Sequence, residues 1–153
     1  MPLMPITQAK LEANPDLQKE ITIAYCAGFF DGEGCIGIYQ RQGYWTIQVT
    51  VSQKDPTALE VFRLIFPSYS ESHHGVVTNL VWMGPAGAGV LFELLRYLNG
   101  KKSQAEAALE LAMIQDTRRG RGNSKFTEDE KTRMAVLAQT VKDLKHDPQE
   151  RGR

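Results

Sequence analysis

The order of periodic segments along the chain predicts an α+β fold, αββαββα, followed by further C-terminal helices. Three observations predict it. Residues 17–31 carry an apolar helical pattern. Residues 35–53 and 69–83 read as two β-hairpins, because apolar and polar side chains alternate within them. Helical stripes of Leu and Val follow each hairpin, at 59–66 and 90–98, and two more helices complete the chain.

Length and composition indicate one soluble domain. The 153 residues are 42% hydrophobic and 24% charged, which is ordinary for a globular protein. We expect an N-terminal extension at 1–18, the domain at 19–146 and a frayed tail at 147–153. The sequence shows neither a membrane-spanning run nor a signal peptide, and two cysteines make no disulfide framework. These features predict an intracellular protein without a membrane partner.

The formal net charge is +0, which argues against strong, purely electrostatic binding of nucleic acid. The distribution of charge is less neutral than the sum. Lys101 and Lys102 precede one late helix, and a basic loop follows it. The basic residues of that loop are Arg118, Arg119, Arg121 and Lys125.

The first helix has one side made of small residues. Its members are Ala24, Ala27, Gly28 and Asp31, at i, i+3, i+4 and i+7. Small residues let a second helix approach closely, while Ile23, Cys26 and Phe30 on another side are predicted to face the chain's own core. We expect Gly32 and Gly34 to end the helix. Glu33 then lies at its negative end, where a bound cation would offset the unfavourable macrodipole.

The first hairpin has one apolar and one polar face. Cys35–Arg41 and residues 44–53 are predicted strands, joined by a turn at Gln42 and Gly43. The polar face carries Thr, Gln, Arg and Tyr but no acid. A half-solvated antiparallel sheet explains such alternation in most proteins. The alternative is a β-ribbon that reads base edges in the major groove of DNA.

Capping signals place the later elements. Asp55 and Pro56 begin a helix that ends before Pro67. Strands at 69–72 and 76–83 are predicted to turn through residues 73–75, where adjacent histidines favour a turn or surface role over a metal site or a phosphate contact. Ser103 is predicted to cap the next helix in a capping box with Glu106. Thr127 is predicted to cap the last helix, which ends near residue 145.

Residues 26–34, Cys-Ala-Gly-Phe-Phe-Asp-Gly-Glu-Gly, resemble the nine-residue motif of the LAGLIDADG homing endonucleases. Departures from the motif include Cys26, Phe30, Gly32 and Glu33, which stand where the family has Leu, Ile, Ala and Asp. The αββαββα order, the strand end at 51–54 and the Lys-x-x-Gln-Ala pattern at 101–105 are also similar to that family. The resemblance covers residues 21–144 and implies a saddle-shaped antiparallel sheet.

The resemblance implies an enzyme that hydrolyses DNA. Glu33 would bind a divalent metal ion through its side chain and Gly32 through its carbonyl, with Mg²⁺ as the ion and Mn²⁺ as a substitute. Gln53 matches the position that orders water, and Lys101 the base that stabilises charge. A single motif implies a homodimer in which the small helix faces meet and the two Glu33 carboxylates lie side by side. Asp31 would be structural and cap the partner element.

The implied substrate is double-stranded DNA with a long, roughly palindromic site, cut to promote intron mobility. The candidate base readers lie on the strands: Tyr39, Arg41, Tyr44, Thr46, Gln48 and Thr50, with Ser72, His74 and Asn79 on the second hairpin. The four bases of the loop at 118–125 would hold phosphates, which position a protein without specifying sequence.

Two other functions stay open. A protein of this fold that does not cut DNA could be an RNA maturase or a DNA-binding regulator. An unrelated α/β domain would use the glycine-rich helix end only as a C-cap. Glu33, Gln53 and Lys101 together favour the enzyme, because binding alone requires none of them. The expected location is where the DNA resides, in a bacterial cytoplasm or an organelle.

Overall fold

A computed structural model describes residues 12–120 and 125–146. Helices α1 to α5 span Pro15–Glu33, Pro56–Ile65, Pro85–Leu94, Lys102–Gly120 and Glu128–Lys145. Strands β1 to β4 span Gly34–Arg41, Tyr44–Gln53, Ser70–His74 and Val77–Met83. A 3₁₀ turn, Leu95–Tyr97, follows α3. The predicted order of elements is therefore confirmed.

The four described strands form one antiparallel sheet in the order β1-β2-β4-β3. The β1–β2 turn consists of Gln42 and Gly43, with φ of 49° and 81°. Two successive positive φ angles define the tight two-residue turn whose twist matches that of a hairpin. Its register, with Arg41 opposite Tyr44, fixes which side chains share each face.

One face of the sheet forms the core. Its central side chains are buried: Ile36, Ile47, Val49, Val51, Leu80 and Trp82. Helices α1, α2 and α3 pack against β2, and α4 and α5 pack against β1. The indole N–H of Trp82 donates to the Phe66 carbonyl at 3.0 Å, so the largest core side chain has its polar atom satisfied. The opposite face of the sheet is left to solvent.

Helix α1 is longer than the sequence pattern predicts. It begins at Pro15, where the Asn14 side chain accepts a hydrogen bond from Leu17 N at 3.1 Å, so residues 15–18 belong to the helix. At the other end it continues through Gly32 and Glu33. Gly34 follows in extended conformation, not the left-handed one of a glycine C-cap. A Cβ at Gly34 would overlap the Phe30 ring, which explains the glycine by close approach. Residues 1–11 and 147–153 of the predicted extension and tail lie outside the described residues.

Two further boundaries differ from the predictions. His73 and His74 lie in β3, and the turn is at residues 75–76. Helix α4 begins at Lys102, so Ser103 lies inside its first turn and not at the predicted N-cap. The predicted cap of α5 is confirmed, and Thr127 forms a capping box with Glu130 there. Among the described residues, no helix is both long and apolar enough to cross a membrane.

Candidate functional site

The C-terminal end of α1 is held to the beginning of α4 by Asp31. One carboxylate oxygen accepts Asn99 N at 2.8 Å, and the other accepts Lys101 N at 3.0 Å. The Lys101 ammonium donates to the Asp31 carbonyl at 2.6 Å. Asp31 thus caps an element of its own chain, whereas the sequence analysis expects it to cap the partner element. Since both carboxylate oxygens bind backbone N–H groups, Asp31 is structural and Glu33 is the exposed acid of the motif.

The three residues with implied roles in catalysis converge on this helix end. Glu33 is the last residue of α1 and is exposed. Lys101 is bound to Asp31, two residues before Glu33. Gly34 pairs with Val51 across β1 and β2, so Gln53, two residues farther along β2, also lies beside the end of α1. The Gln53 side-chain oxygen accepts Lys54 N at 2.8 Å. The fold therefore brings together residues that are distant in the sequence.

The metal-binding capacity of one chain is small. Within residues 12–120 and 125–146, no cluster of three or more His, Cys, Asp and Glu side chains could hold a metal ion. One chain offers the Glu33 carboxylate and the carbonyls of the last helical turn, including that of Gly32. All of these are hard oxygen donors, which suit Mg²⁺ in kind. Their number suits a site completed by a second carboxylate, a nucleic-acid phosphate or water.

The small side of α1 is split between the core and the surface. Ala27 is fully buried against its own chain, while Gly28 and Gly32 are exposed and Ala24 is half-buried. A Cβ built at Gly28 or Gly32 meets no atom within 4 Å. Ala24, Gly28 and Gly32 lie four residues apart in succession and therefore share one strip. Ala27, which the predicted dimer face also includes, is buried and lies outside this exposed strip.

All nine nominated strand residues lie on the solvent face of the sheet. Tyr39 is opposite Thr46, and Arg41 is opposite Tyr44. The remaining positions follow by register and alternation: Gln48, Thr50, Asn79, Ser72 and His74. In the described strands this face carries no Asp or Glu, because the one strand acid, Glu71, is opposite Leu80 and shares the core-side face with it.

A polar ladder crosses three strands on this face. The Ser52 hydroxyl donates to the Asn79 side-chain oxygen, and the Asn79 amide donates to the Ser72 hydroxyl at 3.4 Å. Ser52 was not among the predicted readers, although its place in the alternation of β2 marks it as one. Cys35 also lies on this face and accepts from the Lys145 ammonium at 3.5 Å. The sequence analysis missed that contact, since the two residues are 110 positions apart.

The basic residues of the predicted phosphate-binding loop do not act as one group. Arg118 is half-buried, and its guanidinium lies over two aromatic rings. Arg119 forms an ion pair with Asp116 at 3.1 Å. Lys125 is exposed and lines a shallow surface pocket with Gln40 and Tyr44 of the sheet, and Arg121 lies outside the described residues. Of the described cations in this loop, Lys125 is therefore the one most available for contact with a phosphate.

Shifted pKa values mark groups that stabilise the fold. The Arg63 guanidinium donates to Glu71 at 2.9 Å and lowers the pKa of that carboxyl. The backbone N–H of Thr57 donates to Asp55 at 2.9 Å and lowers the pKa of Asp55, the N-cap of α2. Burial raises the pKa of the Cys26 thiol to about 12. Hydrogen bonding and burial thus account for these three shifts.

Comparison with known proteins identifies the fold. No family model and no curated protein matches the chain. Among solved structures, the homing endonuclease I-CvuI in complex with an I-CreI target in the presence of Mg superposes with a TM-score of 0.70 and 22% identity, over 84% of this chain and 85% of that chain. The archaeal intron-encoded homing endonuclease I-Vdi141I complexed with DNA gives a TM-score of 0.67 and 16% identity, over 86% of each chain.

A third structure, the LAGLIDADG meganuclease I-AabMI bound to uncleaved DNA, matches with a TM-score of 0.60 and 14% identity. The match covers 76% of this chain but 43% of that one, so this chain corresponds to less than half of the larger protein. At these identities the comparisons establish the architecture of the chain and leave its activity to be argued from its residues.

Proposed function

We propose that this chain, which has the LAGLIDADG homing endonuclease fold, forms a homodimer that cleaves both strands of DNA at a specific site with a divalent metal ion. The observation that carries the proposal is the position of Glu33. It is an exposed acid at a helix end, beside Lys101 and Gln53, where an acid-free sheet face begins.

The sheet face supports DNA as the substrate. Its Tyr, Arg, Thr, Gln, Asn and His side chains donate and accept hydrogen bonds, as base edges in the major groove require. An acid on this face would be repelled by the phosphates, and the described strands turn their one acid away from it. Lys125 beside the sheet is placed for a phosphate contact that positions the duplex.

The exposed strip of α1 supports the homodimer. Ala24, Gly28 and Gly32 let the backbone of a second α1 approach closely around a two-fold axis. Such a crossing would place the two Glu33 carboxylates together at the helix ends. Two adjacent carboxylates repel each other unless cations lie between them, so the dimer and the metal site support each other. A two-fold dimer also predicts a roughly palindromic target.

The residues at the helix end have separable roles in this proposal. Glu33 and the Gly32 carbonyl hold the cation, for which Mg²⁺ is the expected ion and Mn²⁺ a substitute. When bound, the cation supplies Lewis-acid activation of the attacking water and of the phosphate. Gln53 orients the water through its amide, and the Lys101 ammonium stabilises negative charge developing on the phosphate. Cleavage of an intronless allele would promote mobility of the intron that encodes the protein.

The test is cleavage of a supercoiled plasmid library that includes the intronless allele of the host gene. We expect linear product with Mg²⁺ and none with EDTA. The Glu33→Gln variant should lose cleavage by a factor of about 100 or more, because residues that merely support a metal ligand already contribute 10- to 100-fold. Its DNA binding should persist, since the sheet face is unchanged.

The matched control is Glu93→Gln, which changes the same group at an exposed position of α3. It should cut at the wild-type rate. Binding of DNA by a wild-type protein that cuts no site would instead indicate a regulator, and selective binding of the host intron RNA would indicate a maturase. Loss of cleavage and binding together in Glu33→Gln would show that Glu33 acts through folding.

A further inference from the structure

The guanidinium of Arg118 lies over two aromatic rings. Its central carbon is 4.8 Å from the centroid of Phe126 and 5.9 Å from the centroid of Tyr44. Both distances fall within the range of cation–π attraction, and the planar guanidinium group suits stacking better than an ammonium does. Arg118 thereby connects the end of α4 and the residue before the α5 cap to the first residue of β2.

Arg118 is poorly placed to hold a phosphate. Its Nε atom is fully buried and has no hydrogen-bond partner in the part of the chain that the structure describes. A guanidinium that binds phosphate uses its N–H donors in a fork, and burial of Nε removes one side of that fork from solvent. Local sequence groups Arg118 with the candidate phosphate-binding bases, because it does not show that two rings pack beside the guanidinium.

A second side chain of α4 holds the same end of β2. The Gln115 amide, three residues before Arg118 and therefore on the same side of the helix, donates to the Trp45 carbonyl at 2.7 Å. Gln115 thus fixes the backbone beside Tyr44, and Arg118 fixes its ring. Tyr44 itself directly follows the tight turn and is 58% exposed on the solvent face of the sheet. These contacts orient the Tyr44 side chain and still leave it exposed to solvent.

The distance of Tyr44 from the metal site sets where it would act. Tyr44 and Gln53 are the two ends of β2. At about 3.4 Å per residue the strand spans roughly 30 Å, and at 3.4 Å per base pair this corresponds to roughly nine base pairs. Tyr44 therefore faces the outer part of each half of a two-fold target, far from the bonds that are cut.

We propose that Arg118 is a positioning residue that orients Tyr44 and thereby sets base-pair discrimination at the outer end of each half-site. The proposal rests on the proposed function, since it assumes that the sheet face reads DNA. It assigns specificity to a residue that touches no base. It also separates Arg118 from Lys125, which remains a phosphate contact.

The experiment uses the full chain and duplexes selected by the wild-type protein from a randomised library. Arg118→Gln and Tyr44→Ala should lose discrimination roughly tenfold at the same outer base pairs, because one base contact contributes about that factor. The double variant should lose no more than either single one. The slope of log affinity against log salt should stay at the wild-type value. Arg118→Lys should behave like Arg118→Gln, because charge without a planar group does not restore the stack.

Lys125→Gln is the comparison for a phosphate contact. It should weaken binding to all sequences uniformly and lower the salt slope by about 1. The same uniform loss in Arg118→Gln, with rescue by Arg118→Lys, would overturn the proposal. If Arg118→Gln does not fold, Phe126→Leu removes the other ring of the stack and should give the same local loss, whereas wild-type discrimination in that variant would also overturn the proposal. A wild-type protein that selects no duplex would refute the proposed function itself.

Discussion

The two sides of α1 differ in burial and in side-chain size. On one side Cys26 and Phe30 have no exposed surface and pack into the core. On the other side Gly28 and Gly32 are exposed, and a Cβ at either would meet nothing within 4 Å. A helical glycine costs roughly 0.5–1 kcal/mol relative to alanine, so the chain gives up stability on this side with no packing in return. Packing in the core explains the first side, and the proposed dimer would explain the other.

The largest expected contrast is between the two thiols. Cys26 lies on the buried side with a pKa raised to about 12, and Cys35 is exposed just beyond the helix. At neutral pH a thiol reagent should label Cys35 at once. Cys26 should react at least about 10³-fold more slowly, because labelling requires unfolding that costs 5 kcal/mol or more. Comparison of the Cys35→Ser and Cys26→Ala variants assigns the fast and slow phases of labelling to one thiol each. Rapid labelling of both thiols would contradict the packing described for α1.

The same thiol gives the buried side a pH dependence. The pKa of Cys26 is raised above its ordinary value of 9.0, so the thiol ionises more readily in the unfolded chain than in the folded one. Its contribution to stability is complete below pH 9 and is lost as the pH rises toward 12. The free energy of unfolding should fall by about 1.4 kcal/mol per pH unit in that window, relative to Cys26→Ala. Parallel pH profiles of the two proteins would contradict the burial of the thiol.

Truncation should separate the buried side from exposed apolar residues. Phe30→Ala removes a fully buried ring and should lower the free energy of unfolding by about 3–5 kcal/mol. Phe92→Ala removes a ring that is 71% exposed on α3 and should change it by less than about 0.5 kcal/mol. Urea denaturation measures both, and equal losses would show that α1 does not anchor the core.

The tip of α1 should show an intermediate effect. Asp31→Ala leaves Asn99 N and Lys101 N without their acceptor and should cost about 1–3 kcal/mol. Asp116→Ala breaks an exposed ion pair with Arg119 and should cost less than about 1 kcal/mol. Denaturation in water measures the difference. An unchanged free energy of unfolding in Asp31→Ala would mean that α4 is positioned without these hydrogen bonds.

A substitution on the exposed side of α1 should raise the stability of the monomer instead of lowering it. Gly28→Ala should stabilise the monomer by about 0.5–1 kcal/mol, because the helix gains propensity and the new Cβ meets open space. The same Cβ should obstruct the second helix and shift the protein from dimer to monomer in sedimentation velocity. Gly89→Ala, at an equally open helical glycine of α3, should stabilise the chain and leave its association unchanged. A dimeric Gly28→Ala protein would place the interface elsewhere.

Local patterns predicted the elements well, and tertiary contacts account for what they missed. Alternation gave β2 its observed bounds, and the Thr127 cap placed α5, because both signals lie within a few residues. The β3–β4 turn lies at residues 75–76 instead of the predicted 73–75, because His73 pairs with Thr78 within the sheet. The Thr78 hydroxyl lies 3.1 Å from His73 Nδ1. The hydrogen bonds of the Asp31 carboxylate join residues about 70 positions apart, and no periodicity of the sequence indicates such a contact.

The candidate site divides in the same way. The nine-residue motif predicts Glu33 as the functional acid, and alternation predicted correctly that the candidate readers share one sheet face. Neither could show that Ala27 is buried or that the Arg118 guanidinium lies over two rings, because both depend on elements that pack only in the folded chain.

The central claim is that two copies of the chain bring their Glu33 side chains together. Cross-linking tests it directly: Glu33→Cys in a Cys35→Ser background is treated with a short bis-maleimide, and Glu93→Cys in the same background is the control. Cys26 stays unreactive because it is buried. We predict rapid formation of a covalent dimer through position 33 and none through position 93. Equal, slow cross-linking at both positions would contradict the claim that the active site forms between two subunits.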